Sequence, residues 1–341
     1  MESTAVEEAI LSGNFKEAER ISEEMPVEDI KSAALNAQLL IYKGELEEAE
    51  RILDTYEGRL LAEANLKDAA EFGLAKAELS YWRGEFEEAE RQAQVVFGIY
   101  SLNNDHFGLA RSLYMLGRVC RRRGDFDRAE EYMLKALEHA ESLEGGEADF
   151  LIGLISYNLG AINHNLGHFK QAESQYLKAI EQLKKAEAGR YYGNALNGYG
   201  SLLNSKGKYQ EASEVIQEAY DCFSENACFD DLAHATNNLS YAYIRMGEFE
   251  EASKRLSESV ELRRRSKDIA GESVTLELYG KLRFEQGNLQ EAQQALEQAV
   301  EMAELAKNQH EKTVALITLG RVLLANREMD KSGDVLQEAL R

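Results

Sequence analysis

His164 and His168 stand four residues apart, the spacing at which two imidazoles on one helix face could hold a metal ion. Between them lies Gly167, which opens the stretch Gly-His-Phe-Lys-Gln-Ala. That stretch reads as a turn between helices, so the two rings do not share a face and no metal is expected. The glutamate pairs Glu47-Glu48, Glu87-Glu88 and Glu250-Glu251 could supply two carboxylates for general acid–base chemistry. Each pair falls near the start of an outward-facing helix and reads as solvated surface. The sequence has no Gly-x-Ser-x-Gly, no HExxH and no phosphate-cradling glycine loop after a strand. The expectation is a non-enzymatic protein with no catalytic residue and no cofactor. The cysteines, Cys120, Cys222 and Cys228, lack CxxC spacing and are expected as reduced thiols.

Basic and amide side chains carry more information. Arg118, Arg121, Arg122 and Arg123 lie within six positions of a chain whose formal net charge is -22. The excess of 61 acidic over 39 basic residues repels a phosphate backbone over most of the surface, which excludes a general nucleic-acid partner. One proline in 341 residues and 29% charged residues describe an almost wholly helical chain with a solvated outer face. No apolar run is long enough to cross a membrane and no basic start precedes an apolar core, so a cytoplasmic protein without membrane insertion is expected.

The elements that must position these residues are marked by one recurring hexapeptide, Gly-x-aromatic/Leu-x-x-Ala. It stands at 13–18, 44–49, 84–89, 124–129, 167–172, 207–212, 247–252 and 287–292, with a degenerate copy at 327–332. The copies follow one another at 40 residues except for one spacing of 31 and one of 43, and a fixed period in this range means a solenoid. Glycine supplies the left-handed residue that ends one helix. An Asp, Asn or Glu beside it favours the start of the next. The aromatic residue is the first buried position of the second helix, and the alanine allows close approach. Seven residues before the turn glycine stands another small residue, Gly117, Gly160, Gly200, Gly280 or Gly320. The short spacing falls at Pro26, and the long one contains Gly145-Gly146, read as a longer turn and a possible hinge. The fold expected is all-α: a single α-solenoid domain over 1–341 of about nine helix-turn-helix repeats.

This pattern resembles the tetratricopeptide repeat over essentially the whole chain. The 40-residue period is similar to that of kinesin light chains, Leu-Gly-Asn-repeat spindle adaptors, bacterial quorum-peptide receptors and the repeat domain of the bacterial maltose-regulon activator. The resemblance implies a right-handed superhelix whose first helices line a concave groove. At the groove positions carried over from the family stand eight bases, among them Arg111, Arg118, Arg121, Arg122, Arg245 and Lys281, against four acids, Glu71, Glu78, Glu277 and Glu285. Asn165, Asn194, Asn197, Asn204 and Asn237 occupy such positions, with Asn158 and Asn238 one place away and Tyr114, Tyr157, Tyr241 and His164 among them. Asparagine both donates to and accepts from a peptide backbone, so a ladder of them suits an extended chain. The groove is therefore expected to bind a protein or peptide segment, extended or helical and acidic, with Arg123 left as an ordinary helix end complementing the macrodipole. The alternative is a ligand-sensing regulatory domain of a larger protein, binding a peptide or small effector. The chain ends within the second helix of its last repeat with no polar capping helix, so either the last pair serves as its own cap, or the chain is a piece of a longer protein, or another copy covers the end through self-association of terminal repeats.

Overall fold

A computed structural model describes residues 5, 6, 9, 10, 15–22, 27–60, 65–225 and 228–340. Among them are seventeen helices and no strand. Gly13 and Pro26, which mark the first turn and the short spacing, lie outside the described residues. The helices gather into two compact units, Met1–Gly198 and Tyr199–Arg341.

In the first unit a short helix α1 (Phe15–Ser22) precedes four pairs: α2 (Ile30–Lys43) with α3 (Leu46–Glu57), α4 (Leu66–Trp82) with α5 (Phe86–Asn103), α6 (His106–Arg122) with α7 (Phe126–Glu141), and α8 (Gly146–Asn165) with α9 (Phe169–Lys185). The division falls inside α10 (Gly189–Ser205). The second unit continues with α11 (Tyr209–Glu225) and the pairs α12 (Phe229–Met246) with α13 (Phe249–Ser266), α14 (Ile269–Glu285) with α15 (Leu289–Leu305), and α16 (Gln309–Ala325) with α17 (Met329–Ala339).

Each turn is closed as the hexapeptide predicts. Gly44, Gly84, Gly124, Gly167, Gly207, Gly247 and Gly287 all have φ between 75 and 82°, and Arg327 of the degenerate copy has φ 64°. In the fourth repeat Gly124 N–H donates to the Arg121 carbonyl at 3.1 Å and Asp125 N–H to the Cys120 carbonyl at 3.0 Å, the double bond that satisfies the last carbonyls of a helix. The Asp125 side chain then accepts from Arg128 N–H and caps α7. Glu45, Glu85 and Glu248 stand in the same place without a side-chain cap, so there only the favourable charge at the helix start remains.

The small residue of each first helix receives a large one sixteen positions later. A Cβ on Gly117 would meet Met133 at 2.8 Å, one on Gly160 would meet Tyr176 at 2.8 Å, one on Gly280 would meet Leu296 at 2.5 Å and one on Gly320 would meet Leu336 at 2.6 Å. The alanines of the hexapeptide, from Ala18 through Ala292, are fully buried, and Ser332 holds the ninth position at 3% exposure. Second helices pack on the following first helix, and successive first helices also touch: α2 with α4, α4 with α6 and α6 with α8 in one unit, α12 with α14 and α14 with α16 in the other. Within each unit the first helices thus form one continuous face.

The turn that ends at Gly145 has four residues, 142–145, where the turns after α5, α9, α13 and α15 have two or three, so it is the longer turn expected. Gly145, at φ 98°, is the residue before α8, and Gly146 begins it. α8 is also 20 residues long where α4, α6 and α10 are 17, while α7 has 16 residues against 18 in α5 and 17 in α9, so the longer spacing is taken up by the first helix and the turn before it.

Candidate functional site

The arginines of α6 divide into two kinds. Arg111 Nη1 lies 2.6 and 2.8 Å from the two carboxylate oxygens of Glu71 on α4. Tyr100 donates its hydroxyl to the same carboxylate at 2.6 Å. One turn pair further along, Arg118 Nη1 meets both oxygens of Glu78 at 2.8 and 2.7 Å, and Trp82 Nε1 donates to Glu78 at 2.8 Å. The Arg118 guanidinium sits 4.1 Å from the Tyr81 ring centroid, 5.5 Å from that of Tyr114 and 6.0 Å from that of Trp82. Arg118 is thus an internal cation in an aromatic enclosure, 13% exposed. Burial works against its charge, but Glu78 and the phenols of Tyr114 and Tyr81 outweigh it and hold its pKa well above the ordinary value.

Arg121 and Arg122 have no carboxylate partner among the described residues. Arg121 is half-buried with its Nε shielded and making no hydrogen bond, and Arg122 is exposed. Arg123 does more than complement a helix end: it bonds Glu90 of the preceding repeat at 2.9 Å. Arg83 makes the same link to Glu50 at 2.7 Å, and Asn163 reaches Glu130 at 3.2 Å, so a polar tether of 33 residues recurs at three successive repeats.

Several of the expected ladder residues are used within the protein. Asn158 is buried, donating to the Leu154 carbonyl at 3.0 Å and to the Tyr114 hydroxyl at 3.4 Å. Burial pushes the Tyr114 phenol up to about 12. Tyr157 faces Tyr176 at 6.2 Å between ring centroids. His164 lies edge-on to Phe169 at 5.9 Å, and burial lowers its pKa. His164 lies in the last turn of α8 and His168 precedes α9, with the Gly167 turn between them. Among the described residues no group of three or more metal-ligating side chains converges. Asn165 is exposed, and Asn194 and Asn197 are half-buried on the part of α10 that belongs to the first unit.

The remaining expected residues lie in the second unit. Asn204 Nδ2 donates to the Asn238 main-chain carbonyl at 3.0 Å. Asn237 is buried against Thr275 at 3.0 Å. Arg245 Nε donates to the Tyr209 hydroxyl at 3.1 Å, with Tyr241 packed 6.4 Å from the Tyr209 ring. Lys281 pairs with Glu277 at 2.8 Å, and Thr318 donates to that same carboxylate at 2.7 Å.

Three of the four expected groove acids therefore neutralise three of its bases. Reading the first helices by charge alone missed this, although the signal was there: Glu71 precedes Arg111, and Glu78 precedes Arg118, by one 40-residue period. The sole tryptophan, Trp82, reads from the sequence as a packing or groove residue, and nothing in the spacing of Tyr81 distinguishes it from the packing tyrosines.

A family model described as "Tetratricopeptide repeat" matches residues 69–142, 151–225 and 231–305, and a second of the same description matches 114–186 and 280–341. No curated protein matches. Among solved structures, the chain is similar to the apo form of the quorum sensor NprR from B. thuringiensis, with a TM-score of 0.73, 17% identity and coverage of 99% of this chain and 97% of that one. Aspartyl phosphate phosphatase F from Bacillus subtilis gives a TM-score of 0.66 at 14% identity, covering 99% and 92%. The Rap conjugation gene regulator of the plasmid pLS20, solved with a Phr peptide, gives 0.64 at 15% identity, covering 98% and 89%. At these identities the likeness is one of fold.

Proposed function

The chain belongs to the tetratricopeptide repeat family, and from that premise we propose that it is a peptide- or protein-binding regulatory module rather than a catalyst. The segment it takes lies along the first-helix face and carries acidic groups that meet Arg121 and Arg122. The observation that carries this reading is the division among the α6 arginines: Arg111 and Arg118 are held by Glu71 and Glu78, while Arg121 and Arg122 have no carboxylate partner among the described residues. Arg121, half-buried without an anion, invites one from outside, because a charge-assisted hydrogen bond there is stronger than in water, and the exposed Arg122 beside it adds to the attraction.

The peptide-sensing alternative is favoured by the fold neighbours, one a quorum sensor and one solved with a peptide. A phosphatase shares the fold as well. Binding is preferred for this chain because three of the four groove carboxylates are engaged: Glu71, Glu78 and Glu277 each accept from a base and from a second donor.

A titration of a fluorescent octaglutamate peptide, followed by anisotropy, tests the reading. The double variant Arg121→Glu/Arg122→Glu is expected to weaken binding at least about tenfold, the loss of one to two charge-assisted contacts. Arg118 is left intact because its removal would expose Glu78. Equal affinity for wild type and variant, or equal binding of an octalysine peptide, would sink the proposal.

A further inference from the structure

Two imidazoles meet nitrogen to nitrogen in the fourth repeat. His106 is the first residue of α6, and His139 stands in the last turn of α7. Their Nδ1 atoms lie 3.1 Å apart and their ring centroids 5.1 Å apart. The Ser142 hydroxyl, just past α7, lies 3.3 Å from the same His106 nitrogen and donates its own proton to the His139 carbonyl at 2.7 Å. His106 and Ser142 are exposed and His139 is half-buried, so the cluster is open to solvent. The repeat does not require it. One period earlier the same three places hold Leu66, Ile99 and Leu102, and one repeat later they hold Asp149, Gln182 and Lys185.

We propose that His106 and His139 form a binding site for a divalent transition metal of the zinc and copper class. Bonds of about 2.0–2.1 Å from two nitrogens 3.1 Å apart enclose an angle of about 98° at the metal, between the octahedral and tetrahedral values. Neutral imidazole suits zinc, copper and nickel, whereas magnesium and calcium take oxygen ligands. The Ser142 oxygen, its proton committed to the His139 carbonyl, keeps lone pairs for a third and weaker bond, and water fills the remaining positions. A site with two strong ligands is exchangeable, unlike the closed four-ligand sites that hold structural zinc. His139 lies where the negative end of the α7 dipole favours a cation, and the Asp105 carboxylate, which caps α6, offsets the positive end of that helix. The ion joins the first turn of α6 to the last turn of α7. Because only the folded chain brings the two rings together, added metal stabilises the fold.

Calorimetric titration of the full chain with Zn²⁺ tests the site. The parent is expected to bind one ion that His106→Gln and His139→Gln each weaken at least about tenfold, because the second imidazole acts through its effective concentration. Binding by the three thiols would be common to parent and variants and would cancel in the comparison. The melting temperature of the parent is expected to rise with Zn²⁺ and those of both variants to rise less, at unchanged helical circular dichroism. Histidine-selective ¹⁵N labelling of the parent reads the ligands directly and decides the matter even if a variant fails to fold. Zn²⁺ is expected to shift two Nδ1 resonances together, and Mg²⁺ to shift none. Equal Zn²⁺ affinity in the parent and folded variants overturns the proposal. So does a parent in which Zn²⁺ moves no pair of Nδ1 resonances.

Discussion

Glu71 shows how much of the first-helix face is internal architecture. Burial alone raises its pKa, but the Arg111 guanidinium and the Tyr100 hydroxyl outweigh burial and hold it below the ordinary value. A carboxyl whose folded pKa is depressed contributes stability that is fully present above its unfolded value, about 4.3, and is lost as pH falls through the folded one. Urea unfolding of wild type and Glu71→Gln at pH 7 and pH 3 should therefore show wild type losing more stability on acidification than the variant. Parallel losses would remove Glu71 from the acid limb. The residues of this network were present in the sequence as groove charges of opposite sign, but a charge count cannot tell a cation awaiting a partner from one already held. What separates Arg118 from Arg122 is where each side chain points at the end of one helix, and only packing decides that.

At the scale of helices, nearly everything was legible. The hexapeptide placed each inter-helix turn within the described residues, and the left-handed geometry extends even to Arg327, where the glycine is missing. Less visible were the turns from each second helix to the next first helix. There Asn104, Glu187, Lys267 and Lys307 take positive φ without glycine. Asn65, Asp105, Asp268 and Asn308 cap the helices that follow, each accepting from the N–H three residues on. The capping Asn or Asp recurs at the 40-residue period only in part, Asn65 with Asp105 and Asp268 with Asn308, because Gly145, Ala188 and Cys228 precede the first helices between them. The sixteen-residue register between small and large residues makes a sharper test. In Gly200→Ala the new Cβ would run into the Ile216 side chain, whereas Gly98 on α5 is exposed with open space around it. Gly200→Ala should destabilise by about 1–3 kcal/mol from overpacking, and Gly98→Ala should stabilise by about 0.5–1 kcal/mol from helix propensity. Denaturant midpoints that move in the same direction for both would contradict the register.

The whole molecule carries a charge of -22, and its many surface ion pairs respond to salt in the opposite sense from that net charge. Screening weakens each exposed pair, worth about 0–1 kcal/mol, but it also relieves the self-repulsion of the chain. Because the acids outnumber the bases by so wide a margin, repulsion should win. Raising the salt from 10 to 150 mM, which shortens the screening length from about 30 to about 8 Å, is expected to raise the melting temperature by about 2 °C, roughly 1 kcal/mol in a chain of this size. A fall in melting temperature would mean that the ion pairs dominate. The pairs Arg111–Glu71 and Arg118–Glu78 have a separate consequence for how such a chain can change over generations. Arrays of this kind grow by copying one unit in tandem, and most units here would tolerate it, since their shared turns and small-to-large contacts repeat. A copy of residues 84–123 inserted beside the original would set the second Arg118 opposite the first, and the second Arg111 opposite the first, with no glutamate between them. The third and fourth repeats are therefore matched as neighbours in a way that a tandem copy would break.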